Sequence, residues 1–380
     1  MASIQQLIRD NAVYASGYLK GRSFTVPTSF SELYAFTTSK LTSLVSVPLP
    51  FLSFLALPFF SGTSTTISLV FFYLTWSAFV LSHNQLTVEL EGTLAVRLLC
   101  FVLPALGFLG FDCALPSLSK GIKDRGSVQS PLLLGRRKLL EVIGISLLNV
   151  GLGIALQAIF ELGFTEILHL RSILKVTTIV PLPWTIFKDV AKGFVIRGVL
   201  VYTINRFLMH TYESPLKTWH LRWQHSISLP FSLVAAYDHP VNHLLSNWLP
   251  TFLPAYLFRF HVLTWHLFVA LCSLEDLFLF SGYAVLPSTI VLAGMARRTD
   301  EHFAVVSEEK AAGNFGRFGV LDVICGTTCQ NEDDAMDDMQ LEAEKHHIQE
   351  RAQGGVNGAI AGLKGQAKSR VTRSQNKKGN

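Results

Sequence analysis

NRFLMHTYESPLKTWHLRWQHSISLPFSLVAAYD, residues 205–238, closes a long apolar run and opens a region unusually rich in histidine. His210, His220 and His225 lie within it, and His239, His243, His261 and His266 follow soon after. Imidazole is the commonest metal ligand and the side chain whose unperturbed charge changes near neutral pH. A histidine cluster hung between hydrophobic helices points to a metal site at a membrane face.

Composition supports the membrane half of that statement. The chain has 380 residues, a net charge of +5, 16% charged residues and a mean hydropathy of +0.37. A soluble globular domain carries about 25% charged residues. Apolar runs of about 20 residues, long enough to cross a bilayer, recur along the chain. The five cysteines form no disulfide framework, and the Cys325–Cys329 spacing is too wide for C-x-x-C redox chemistry. The expected fold is all-α: a polytopic integral membrane helical bundle with a cytosolic histidine-rich cap.

Residues 1–43 read as a polar lead-in at the membrane surface, and 44–198 as transmembrane helices. The first run, Leu44 to Phe60, holds Pro48, Pro50 and Pro58 and either crosses or re-enters. Better spans are Thr65 to Ser82, Thr93 to Phe111 with Arg97 snorkelling at its start, and Leu139 to Leu162. The loop from His83 to Gly92 carries Glu89 and Glu91 and no basic residue. The 112–138 loop holds Lys120, Lys123, Arg125, Arg136, Arg137 and Lys138, so the positive-inside rule makes it cytosolic. A turn at Thr165 to Lys175 follows, then 176–209 as one crossing broken at Pro181, Pro183 and the Lys188–Lys192 charges, delivering His210 to the cytosolic face. The 244–295 stretch fits two further crossings or a helical hairpin dipping into the bilayer. Beyond 328 the chain is a polar tail with too little apolar content for a core.

Spacing limits what the histidines can do. His220 and His225 are five apart, off-face on an ideal helix, and share a metal only if the helix ends or distorts between them. His239 precedes Pro240, which favours the first helical position, so Asp238 or His239 is the expected N-cap. His261 and His266 lie in apolar sequence and read as hydrogen-bonded histidines at a helix interface. His346 and His347, in the tail, read as surface residues. RRTDEHF, from Arg297 to Phe303, adds acids and one more histidine after an apolar segment. The glycines of GNFGRFGVLDVICGT, from Gly313, fit neither a dinucleotide nor a phosphate-loop fingerprint. Imidazoles with carboxylates suit non-haem iron better than a thiolate-rich zinc site.

From about residue 199 to 327 the chain resembles the fatty acid hydroxylase/sterol desaturase superfamily of integral membrane di-iron oxygenases. The resemblance rests on NRFLMH (205–210), LRWQHS (221–226), AYDHP (236–240), FSGY (280–283), TDEHF (299–303), NFG (314–316), Asp322 and Gly326–Thr327, in that order. It departs from the family where Asn205, Leu221, Gln224, Thr299 and Phe303 stand in place of box histidines. The resemblance implies iron- and oxygen-dependent hydroxylation or desaturation of a lipid, sterol or other hydrophobic metabolite, at an iron (di-iron) centre. It also implies an electron donor such as cytochrome b5 or its reductase, and a location in the endoplasmic reticulum. The implied ligands are His210, His220, His225, His239 and His302, with Glu275, Asp276, Asp300 or Glu301 as carboxylates. The departures leave a second expectation open: an iron-free protein of the same fold, binding lipid or acting as a scaffold.

Overall fold

The computed structural model describes residues 64–123, 129–283, 291–308 and 310–329; the lead-in, the proline-rich first run, His346, His347 and nearly all of the tail lie outside them. The fold is all-α, and the β-pairing among these residues is confined to isolated bridges. Among the described residues, three helical stretches are long and apolar enough to cross a membrane: Gln85–Ala114, Pro131–Ile167 and Val262–Leu279. The protein is therefore an integral membrane protein.

The first helix, α1 (Ser64–Ser82), ends close to the second, α2 (Gln85–Arg97). Asn84 caps α2, its side chain accepting from the Leu86 amide at 3.4 Å. Residues 85–92 are thus helix, not the expected loop. The reason is Glu89, which is buried and accepts from Gln157 Nε2 at 2.7 Å, so its charge sits inside the bundle rather than marking an aqueous turn. A π-helical turn, Leu98–Val102, joins α2 to α3 (Leu103–Ala114) and accommodates Pro104. Arg97 does not snorkel outward as expected: it donates to Ser273 Oγ at 3.1 Å. Short α4 (Pro116–Ile122) follows, and Lys123 beyond it is buried against Asp112 at 2.7 Å.

The longest helix, α5 (Gly135–Leu162), turns lipid-facing Leu140, Leu147, Leu148 and Ile159 outward. Its buried face carries Ser146, Asn149 and Gln157. These polar residues have a purpose that periodicity does not show. Residues 230–237, with a short 3₁₀ turn at Ser232–Ala236, form a segment outside the α-helices that is buried in the core. Ser146 Oγ donates to the Leu233 carbonyl at 2.9 Å, and Asn149 Nδ2 to the Ala236 and Asp238 carbonyls at 2.9 and 2.8 Å. Irregular backbone at membrane depth is tolerated only when protein groups satisfy it in this way.

Helix α6 (Pro183–Thr203) starts at Pro183 and runs unbroken through Lys188, Asp189 and Lys192, unlike the interrupted crossing expected. Proline at the first turn loses no helical hydrogen bond, so it opens this helix rather than breaking it. A π-helical extension, Ile204–Thr211, carries His210. Next come α7 (Pro215–Trp223), a 3₁₀ turn (Gln224–Ser226), short α8 (Pro240–His243), α9 (Leu249–Phe258) and α10 (Val262–Leu279). As expected, His261 and His266 are structural: His261 Nδ1 accepts from the Leu263 amide at 3.2 Å, and His266 Nε2 lies 3.3 Å from the Glu89 carbonyl. Helix α10 packs on α2, α6 and α11 (Val291–Ser307); short α12 (Val320–Cys325) ends the described chain.

Candidate metal centre

Three histidines meet because three helix ends meet. His210 sits on the π-helical extension of α6, where wider winding lets its Nδ1 donate to the Asn205 carbonyl at 2.9 Å. His220 lies on α7, and His225 on the 3₁₀ turn after Trp223. The helix does end between these two, which is the condition their spacing imposed. One ring nitrogen from each of His210, His220 and His225 falls within 4.8 Å of the others. His302, from α11, flanks the group with its ring centroid 4.9 Å from that of His210 and 5.1 Å from that of His225.

What holds these rings decides which nitrogen faces inward. His220 Nδ1 donates to Asp238 Oδ2 at 2.7 Å, and His302 Nδ1 to the Gly313 carbonyl at 2.6 Å. Carbonyls and carboxylates only accept, so the three tied rings carry the proton on Nδ1 and present the Nε2 lone pair. His210 Nε2 and both nitrogens of His225 are buried without a hydrogen-bond partner. A buried polar atom left unpaired costs about 1–3 kcal/mol. Converging imidazole lone pairs without partners are a donor set that fits one first-row transition-metal ion.

Asp238 is the functional residue that sequence reasoning undervalued, having assigned it only a possible capping role. It is buried, its backbone is pinned by Asn149, and its Oδ1 accepts from the His239 amide at 2.6 Å. A carboxylate behind a metal-binding histidine orients the ring and raises its basicity, and losing it costs about 10- to 100-fold in metal affinity. Asp238→Asn is therefore expected to weaken metal binding by about that factor. Titration of the metal-free protein checks this; an affinity within about twofold of wild type contradicts the orienting role. The Gly313 carbonyl is likewise held in place. Asn314 adopts a left-handed φ of 55°, and buried Asp322 accepts from the Phe315 and Gly316 amides at 2.8 Å and from Thr327 Oγ1 at 2.9 Å. The NFG…D…GT pattern is thus a clamp behind His302.

The other sequence candidates are placed elsewhere. The His239 ring stacks on Trp219, centroids 4.1 Å apart, with Trp223 edge-on at 5.4 Å. Glu275 pairs with Arg197; Asp276 meets Arg317 at 2.9 Å, Arg197 at 3.4 Å and Asn247 at 3.1 Å. Asp300 accepts from Gln129 at 2.8 Å and Glu301 from Asn314 at 3.1 Å. The group of converging donors contains histidine and none of these carboxylates.

Burial lowers the pKa of His302 to about 4 and those of His210 and His225 well below the ordinary imidazole value, and the neighbouring histidines push in the same direction. An unfolded chain protonates its histidines near pH 6.5, so below that pH it binds protons that the folded chain does not. Above about pH 7 the rings are neutral in both states and add no pH dependence. From about pH 6.5 down to 4 the metal-free protein is expected to lose up to about 1.4 kcal/mol per pH unit for each of these histidines. Melting curves in detergent between pH 7.5 and 5 check this; a melting temperature that holds or rises on acidification contradicts it.

Residues 190–327 match the family model described as fatty acid hydroxylase. The match supports membership of the fatty acid hydroxylase/sterol desaturase superfamily for this segment. No solved structure matches the chain. The match supports a membrane lipid hydroxylase- or desaturase-type function, in a family that depends on iron. The matched segment contains the whole histidine cluster, Asp238 and the Asp322 clamp, so the hydroxylase domain and the candidate metal centre coincide.

Proposed function

We propose that the protein is an iron- and dioxygen-dependent hydroxylase or desaturase of a lipid, sterol or other hydrophobic metabolite. His210, His220 and His225 would hold the iron, with His302 as the flanking donor. The observation that carries this reading is the convergence of imidazoles whose inward nitrogens are buried and unpaired in His210 and His225. An iron-free scaffold gains nothing from such atoms, which cost about 1–3 kcal/mol each when no ion is bound. Iron bound here would supply oxygen activation. The chain's own groups do the rest: Asp238, the Asn205 carbonyl and the Gly313 carbonyl fix three imidazoles in one tautomer. Phe303 and Phe315 cover the cluster with apolar surface, their centroids 4.8 Å from His225 and 5.2 Å from His210.

The lipid-facing bundle supports substrate entry from the bilayer, since exposed apolar side chains line α5 and α6 beside the domain. An electron donor such as cytochrome b5 or its reductase would reduce the centre, from the cytosolic face of the endoplasmic reticulum. The test is a comparison of lipid extracts from cells producing the intact chain or His220→Ala, grown under ¹⁸O₂. The expected result is a hydroxylated lipid carrying the label, or a newly unsaturated one, present only with the intact chain. Indistinguishable extracts from a host that supplies the electron donor contradict the proposal.

A further inference from the structure

We infer that the centre holds one metal ion per chain, where the superfamily pattern implies a pair; the inference rests on the metal-dependent reading above. A two-metal site sets its ions about 3.5–4 Å apart and needs a separate ligand set, or bridging carboxylates, for each. Among the described residues there is one set. The converging donors are His210, His220 and His225, with His302 beside them, and no carboxylate joins the group.

The positions that depart from the histidine boxes do not regroup into a second set. Asn205 Nδ2 donates to the Phe315 carbonyl at 3.2 Å, Gln224 Nε2 to the Val234 carbonyl at 3.3 Å and Thr299 Oγ1 to the Met295 carbonyl at 3.0 Å. Leu221 is exposed, and Phe303 is buried in the core with its ring against both His225 and Phe280. His239, the remaining candidate from the boxes, stacks on Trp219 and stands outside the converging group, although its Nδ1 is also buried without a partner. His225 sharpens the point, because only one of its two diverging nitrogens can face the cluster, and the apolar Phe303 ring packs against it.

The experiment uses the full chain in detergent, stripped of metal and titrated with cobalt(II), then separately loaded with ferrous iron and oxidised. The expected results are a visible-band endpoint at one equivalent per chain and the half-integer-spin resonance of an isolated ferric ion. Thr299→Ala is expected to leave that endpoint unchanged, while His225→Phe abolishes it with cooperative melting retained. An endpoint at two equivalents, or a resonance-silent coupled ferric pair, overturns the single-ion inference and leaves the metal-dependent reading standing. A cooperatively melting chain that takes up neither metal overturns both.

Discussion

Replacing His225 with phenylalanine is expected to abolish metal binding and turnover while making the metal-free protein more stable. Both ring nitrogens of His225 are buried without partners, and the ring lies against Phe303 with centroids 4.8 Å apart. A phenyl ring of similar shape keeps that contact and removes two polar atoms that cost about 1–3 kcal/mol each when unpaired. Binding loses a direct ligand, so the affinity loss should exceed the roughly 10- to 100-fold typical of supporting residues. Metal titration and detergent melting on one preparation read both effects. A variant that binds metal normally removes His225 from the centre. A variant that loses metal but is also destabilised shows that the imidazole has a structural partner of its own.

Arg197→Met is expected to destabilise the bundle by about 3–5 kcal/mol, because it strands the buried Glu275 carboxylate and takes one of two arginines from Asp276. Arg197 of α6 pairs with Glu275 and Asp276 of α10 and donates to Thr251 of α9 at 3.3 Å, so one guanidinium joins three helices. Its side chain is 2% exposed, which removes the solvent screening that makes surface pairs weak. The loss also reaches the metal centre. Asp276 accepts from Arg317 at 2.9 Å, and Arg317 lies in the loop whose Gly313 carbonyl orients His302. Reduced turnover should therefore accompany the lower melting temperature. The double variant that also carries Glu275→Gln should recover much of the stability, since the cost lies mainly in the uncompensated Glu275 charge. A single variant within about 1 kcal/mol of wild type contradicts this account.

The amino-acid sequence by itself determined the membrane class, the helical architecture and the order of the boxes, because long apolar runs and residue order are local properties. It also singled out His210, His220, His225 and His302, and it named the condition for His220 and His225 to meet, a helix ending between them. Only the tertiary structure decided which candidates share a site. Glu275 and Asp276 are acidic residues near a histidine domain in sequence, yet arginines from α6 and the closing loop hold them. His239 is captured by tryptophans on α7. Asp238 gains its place behind His220 because Asn149, 89 residues away, pins its backbone. Glu89 is a buried partner of Gln157 rather than a loop marker for the same kind of reason. A side chain's partners are set by packing between distant segments, and a carboxylate can be ligand, salt-bridge partner or ring-orienting group without any change in its neighbours along the chain.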